Sequence, residues 1–289
     1  MNKKSVFISI IIILFMVFSL GVGYFLGNKE TVSEFGVKKD NEKKLTDEEI
    51  DELGKQLFDK TSSFSINNVY IYYSDEKINV DSIKLEDRLN DTLENISLKN
   101  VFYNTSVSLS ALHSEECFDQ VTSNYTCFSY RIYKNVFENT YFNLFNQKIP
   151  SFSSFTSDHL DRCVLEDDYL NCYPMDGGTA FDGTLKYINY DKAEYEDNTM
   201  YVYSDYIGFL YGLNGDYKAY AYNDIKLTNK IDNTDYSSEI EKYLNDEDNI
   251  FQDKDTLFSK FADKTGKYKL TFKQNELGNW YWFQTEKIK

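Results

Sequence analysis

Few of the residues that most enzymes use for chemistry occur in this chain. Its 289 residues include two histidines, His113 and His159, and four cysteines. No Gly-x-Ser-x-Gly elbow, His-Glu-x-x-His helix, phosphate loop or dinucleotide fingerprint is present, so the motifs of the commonest hydrolases, zinc proteases and nucleotide enzymes are missing. Asp-x-Asp calcium loops with their required glycine are absent too. Positive charge is the minority sign, with 31 Lys and Arg against 47 Asp and Glu and a net charge of −16. Such a surface argues against nucleic acid, anionic polymers and lipid headgroups as ligands, and fits solubility or a cationic partner. The chain shows no internal repeat and no low-complexity tract.

What is there begins with one long hydrophobic run, Val6 to Leu26, which carries no charged side chain. At 1.5 Å rise per residue, about 20 residues cover a hydrocarbon core of roughly 30 Å. The run reads as a transmembrane anchor over residues 5–27, behind a cytoplasmic stub of residues 1–4. A cleaved signal peptide would show a shorter apolar core and a small-x-small cut site, which Gly21-Val22-Gly23 matches only weakly. No cysteine follows the run, which excludes a lipoprotein anchor. Lys3 and Lys4 favour an inside N-terminus, whereas Lys29, Lys38, Lys39, Lys43 and Lys44 oppose it. Large domains translocate largely regardless of charge, and all four cysteines lie beyond the anchor, in pairs that suit an oxidising compartment. The expected topology is a single pass in the cell membrane, with the lipid bilayer as first partner and the C-terminal bulk outside the cytoplasm.

Residues 28–44 are charged, mixed in sign and aperiodic, and read as a tether. A folded domain over 45–289 follows, with a candidate break between subdomains near 150–182. Thr46-Asp47-Glu48-Glu49 is a capping box, and Ile50, Leu53, Leu57 and Phe58 continue it as one apolar stripe. Val69 to Tyr73 reads as a strand; Leu85, Leu89, Leu93 and Ile96 fall at helical spacing; Val101 to Leu109 alternates like a half-buried strand. A third helix is expected over 131–147, stopped by Pro150.

From about residue 163 the chain turns to hairpins, around Asp167-Asp168, Asp197-Asn198 and Asn214-Gly215. A two-residue turn at Asn214-Gly215 puts Phe209 opposite Tyr220 and Ile207 opposite Tyr222, and on the other face Leu210 opposite Ala219 and Gly208 opposite Ala221. Gly208 and Ala221 would then be buried beneath the helix carrying Val136, Tyr141 and Leu144. Short stripes at Ile240, Tyr243 and Leu244 and at Leu257, Phe258 and Phe261 precede a last hairpin, Lys267 to Lys273 with Asn279 to Glu286. The fold class is α+β, with amphipathic helices on an antiparallel, hairpin-rich sheet. The 25 tyrosines and 22 phenylalanines are read as a codon bias toward Asn, Lys, Ile, Tyr and Phe, with Tyr filling half-buried strand positions, rather than as sugar platforms.

Each histidine precedes a cysteine by four residues, His113 before Cys117 and His159 before Cys163. Two such pairs could hold zinc, but Cys163 falls in an expected strand and the scheme strands Cys127 and Cys172. Two local disulfides fit better. Asp167-Asp168 as a turn brings Cys163 opposite Cys172 in a non-hydrogen-bonded pair, and Cys117 with Cys127 closes a similar loop through Ser123-Asn124. The carboxylate pairs Glu115-Glu116, Asp158 with Asp161, and Glu166-Asp167-Asp168 are read as solvated surface, and Asp176-Gly177-Gly178 as a plain turn.

The single anchor, the LTDEEIDELGKQLF helix, the CYPMDGGT turn and the terminal YKLTFKQNELGNWYWF hairpin together resemble the N-terminally anchored envelope proteins of low-GC bacteria. Helices followed by a curved antiparallel sheet also resemble cystatin-like or NTF2-like domains, which implies a binding pocket, an assembly adaptor or, less often, an enzyme. The expected function is a non-catalytic binding domain for an envelope protein or small ligand, without cofactor, metal or nucleic acid. The alternative is a cell-envelope hydrolase acting on a wall polymer through paired carboxylates.

Overall fold

A computed structural model describes residues 45–61, 71–157, 161–175, 183–211, 218–244, 251 and 253–288. The expected anchor and tether, His159, Asp158, Asp176-Gly177-Gly178 and the Asn214-Gly215 turn lie outside these residues. Among the described residues no helix is long and apolar enough to cross a membrane.

The capping box forms as its residues require. Glu49 N–H donates to Thr46 Oγ1 at 3.2 Å and Thr46 N–H to Glu49 Oε2 at 2.9 Å, opening α1 (Asp47–Thr61). Then come β1 (Ile78–Asn79), α2 (Leu85–Glu94), β2 (Val101–Tyr103), α3 (Leu109–Leu112), β3 (Phe118–Asp119), β4 (Asn124–Tyr125) and β5 (Tyr130–Tyr133). Helix α4 (Lys134–Phe145) leads to β6 (Ser154–Thr156), β7 (Asp161–Glu166), β8 (Tyr169–Pro174), β9 (Thr184–Glu196) and β10 (Thr199–Leu210). The chain ends with β11 (Tyr220–Tyr222), α5 (Ser237–Leu244), α6 (Lys254–Phe261), β12 (Gly266–Gln274) and β13 (Trp280–Lys287). In the turn at 275–279, Asn275 Oδ1 accepts from the N–H groups of Leu277 and Asn279.

The fold is α+β, and every strand pair among the described residues is antiparallel. In the first sheet β10 is central. Strand β9 runs along one side of it, while β12 and then β11 share the other; β13 and β1 continue beyond β12. The β9–β10 turn is tight because Asp197 and Asn198 both hold positive φ, 48° and 59°, the conformation that matches strand twist. The second sheet has the order β2-β5-β8-β7-β6, and β3-β4 stands as a separate hairpin.

One buried cluster unites the two sheets. It takes Met200, Val202 and Leu270 from the first, Ile132, Leu170 and Phe155 from the second, and Phe137, Tyr141 and Phe145 from α4. Helix α1 seats on β9 by close approach, since a Cβ at Gly54 would run into Ala193 Cβ; Tyr190 Oη adds a 2.6 Å bond to Asp51 Oδ1. A second cluster forms at the far end of β9–β11, where Leu185, Ile207, Phe209 and Ala221 meet Ile240 of α5 and Leu257 and Phe261 of α6.

Several sequence expectations are corrected. Strand β11 pairs one residue away from the expected register, with Gly208 opposite Tyr222, Phe209 opposite Ala221 and Leu210 opposite Tyr220. A one-residue slip exchanges faces, so Phe209 shares its face with Ala221 rather than Tyr220. The exchange lets Phe209 pack edge-on against Tyr236, Phe251 and Phe261, while Tyr220 stays half-exposed under Lys230 Nζ, 3.3 Å from its ring centre. The cover over Ala221 is the α5–α6 pair; α4 packs instead on β13, α2, β5 and β8.

Helix α4 itself is shorter than 131–147. Residues 130–133 are strand β5, because Ile132 is held between Val101 and Leu170, and Asn146 ends the helix in a left-handed turn (φ 50°) before Pro150 can. The Val101–Leu109 strand stops at Tyr103, since Asn104 Oδ1 accepts from Ser106 N–H and Ser108 caps α3. Ile71 and Tyr72 lie in a turn rather than a strand. Tyr72 and Tyr73 are both buried, tied by their hydroxyls to Asp91 and Ser204 respectively, so consecutive side chains face inward and alternation is lost.

Candidate functional site

At the outer edge of the second sheet lies a cavity of about 310 Å³. Helix α2 ends beside it with Leu93 and Glu94, and Ile96 buries itself just beyond the last turn. A short 3-10 helix, Leu98–Asn100, then lifts Leu98 into solvent before β2 returns to pair with β5. Leu98 is 75% exposed and Tyr103 62%, and both border the cavity. An exposed leucine is ordinary by itself; beside an apolar concavity it forms part of a candidate binding surface.

The polar groups at this site come from distant parts of the chain. Strand β5 supplies Tyr130, β7 supplies Asp161, and α2 supplies Glu94. The rings of Tyr103 and Tyr130 stand 6.2 Å apart between centroids. Burial pushes the Tyr130 phenol well above its usual range, and the charges of Asp161 and Glu94 push it further, against an opposing hydrogen bond with Ser157. The hydroxyl therefore stays protonated at neutral pH.

The cysteines pair as their spacing suggests. Cys163 and Cys172 face one another across β7 and β8, with Cα atoms 4.0 Å apart and both fully buried. Cys117 and Cys127 bracket the β3–β4 hairpin at 5.1 Å, and Ser123 takes a positive φ of 55° in the turn. With all four sulfurs in disulfides, the zinc scheme has no thiolate to offer. His113 is exposed, with its ring 5.5 Å from that of Tyr125.

Of the described carboxylates singled out in the sequence, only Asp161 lines the cavity. Glu115 and Glu116 are exposed in a turn, and Glu166 accepts from Asn171 Nδ2 at 2.7 Å and Tyr173 Oη at 2.9 Å on the outer face of the sheet. Sequence reasoning missed Glu94, Leu98, Tyr103 and Tyr130 as a group. The available signal was the apolar run of Leu98, Val101, Phe102 and Tyr103 around a short strand, too many large side chains for so small an element to bury.

No protein-family model, curated protein or solved structure matches this chain. Geometry alone therefore defines its class: among the described residues, an α+β fold of antiparallel sheets with two hairpin disulfides.

Proposed function

We propose that this protein is a membrane-tethered, extracytoplasmic domain that binds a partner and performs no chemistry of its own. The carrying observation is the cavity bordered by exposed Leu98 and Tyr103, which offers apolar surface with a few polar groups. The two disulfides support the address, since such bonds persist outside a reducing cytoplasm. An envelope hydrolase is the second reading, and its support is that Glu94 and Asp161 share one cavity.

A photo-crosslinking side chain at position 98 of the full chain, in its own membrane, separates them. Binding predicts a discrete adduct at 98 that is missing from position 121, where Val121 is 94% exposed on the β3–β4 hairpin. The adduct should survive Glu94→Gln combined with Asp161→Asn. Turnover of a wall polymer that those substitutions abolish would establish the hydrolase instead. A reporter active only in the cytoplasm, fused after Lys289, should stay silent; activity there would reverse the topology.

A further inference from the structure

The chain has three arginines, Arg88, Arg131 and Arg162, and one of them is buried. Arg88 stands on α2 where that helix packs against α4, and it is only 9% exposed. Among the described residues no carboxylate forms an ion pair with its guanidinium. Its Nε–H is enclosed and has no hydrogen-bond partner. A guanidinium does not lose its proton in a protein, so its burial carries a desolvation cost that a paired anion normally offsets.

Two side chains complete the surroundings. Tyr141 of α4 is fully buried, its ring centre lies 5.8 Å from Arg88 Cζ, and its hydroxyl also has no partner. Burial raises that phenol against the opposing Arg88 charge, so the hydroxyl keeps its proton and can donate it. Gln147 is half-buried, just past the left-handed end of α4 at Asn146. Its Oε1 accepts from Arg88 Nη1 at 3.3 Å, and its Nε2 donates to Oδ1 of the exposed Asp81 at 3.3 Å. Both bonds are longer than the roughly 2.9–3.0 Å of a typical one. A loosely held, neutral amide oxygen thus stands where the cation calls for a charged one.

What lacks a partner is one positive charge and two donors, Arg88 Nε–H and Tyr141 O–H. A carboxylate supplies one negative charge and two acceptor oxygens. A phosphate dianion would bring a second charge with nothing to offset it. Both donors are buried, so the acid is small, and its way in runs past Gln147, which lies beyond the helix end and can swing without unwinding α4. The net charge of −16 opposes any anion at a distance, but salt screens that field beyond about 8 Å.

We propose that Arg88 and Tyr141, with Gln147 displaced, seat the carboxylate of a small organic acid. None of these residues lines the cavity at the sheet edge, so the seat is a second site and stands or falls separately from it.

The test uses the full chain in lipid nanodiscs with its arginine Nε atoms labelled with nitrogen-15, which gives one Nε–H signal for each of three arginines. The probes are acetate, its neutral isostere acetamide, phosphate, and chloride at matched ionic strength. Acetate should shift the Arg88 signal to saturation, leave those of Arg131 and Arg162 in place and raise the melting temperature. Acetamide, phosphate and chloride should do neither. Tyr141→Phe, which deletes an unpartnered buried hydroxyl, should melt no lower than wild type without acetate yet bind acetate about fivefold more weakly. Asp81→Asn with Gln147→Glu keeps the net charge and places a carboxylate on the chain beside Arg88. That double variant should melt higher than wild type and bind acetate at least about tenfold more weakly.

No saturating Arg88 shift with acetate would overturn the seat outright. An equal response to chloride or phosphate would overturn its choice of a carboxylate, and an equal response to acetamide the role of charge. Wild-type acetate binding by Tyr141→Phe or by the double variant would overturn the arrangement of donors. Both variants leave the guanidinium in place, so neither outcome turns on loss of the fold.

Discussion

The two ends of the β9–β10 ribbon are buried differently. Near the Asp197-Asn198 turn one face is covered: Met200 and Val202 are fully buried, while Tyr201 and Tyr203 on the other face are part-exposed. At the far end both faces are covered, with Tyr206 in the first core and Ile207 and Phe209 in the second. Strand β10 keeps strict alternation throughout, and the one register shift, between Tyr203 and Ser204, places an extra residue on β9. The outward parity therefore reads Tyr201, Tyr203, Asp205, Ile207, Phe209. Polar-tipped residues give way to apolar ones where α5 and α6 arrive. Alternation marks a half-covered sheet; a change of residue type at constant parity marks where a second layer begins.

The largest effect is expected from Phe209→Ala. That ring is fully buried and meets Tyr187, Tyr236, Phe251 and Phe261. Its removal should cost about 3–5 kcal/mol, read from the urea midpoint at unchanged slope. A loss under about 1 kcal/mol would show that the far end has no tight core of its own.

Next comes Gly266→Ala, at the joint between the ends. Gly266 lies opposite Tyr206, where β12 gives way to β11, and a Cβ there would overlap the carbonyl oxygen of Asn223. A backbone oxygen cannot swing aside, so about 1–3 kcal/mol should be lost. A wild-type midpoint would mean the two partner strands part without cost.

Asp75 ties the same joint, and its effect depends on pH. Burial pushes its carboxyl up, but the N–H of Lys226, the Lys287 ammonium and the Tyr268 hydroxyl outweigh that and hold it below its ordinary value. A depressed folded-state value means a contribution present above the unfolded carboxyl's pKa of about 3.9 and lost as pH falls through the folded value. Stability measured by urea melts from pH 6 to pH 2 should therefore decline less steeply for Asp75→Asn than for wild type. Parallel declines would remove Asp75 from the joint.

The smallest effect belongs to the near end's outer face. Tyr203 Oη donates to Glu194 Oε2 at 2.8 Å, and Lys192 Nζ sits 4.7 Å from its ring centre; Glu194 and Lys192 are exposed and Tyr203 is half-buried. Tyr203→Phe should change stability by less than about 0.5 kcal/mol. A larger loss in the thermal melt would show that this face is structurally committed.

Some of this comparison is readable without coordinates. The Thr46–Glu49 box closes over three residues, and Asp197-Asn198 accepts the φ values its turn needs. The cysteines that pair lie 9 and 10 residues apart. Other features need the tertiary structure. Tyr130 to Tyr133 fits either a helix start or a strand by local pattern, and only Val101 and Leu170 on its two sides make it β5. The register of β11 sets Ala221 and not Tyr220 opposite Phe209, where the small side chain leaves room for the ring in the second core.

By itself the sequence determined what neighbours along the chain can settle: helix caps, hairpin turns, disulfide partners and which residue types seek burial. Those are short-range matters, governed by hydrogen bonds across three or four residues and by loops closed over about ten. Only the tertiary structure decided which helix covers Ala221, where β10 passes from one covered face to two, and that Glu94, Tyr103, Tyr130 and Asp161 share a cavity. Each of these joins segments that are remote in sequence, and burial rewards any complementary apolar face without naming its partner.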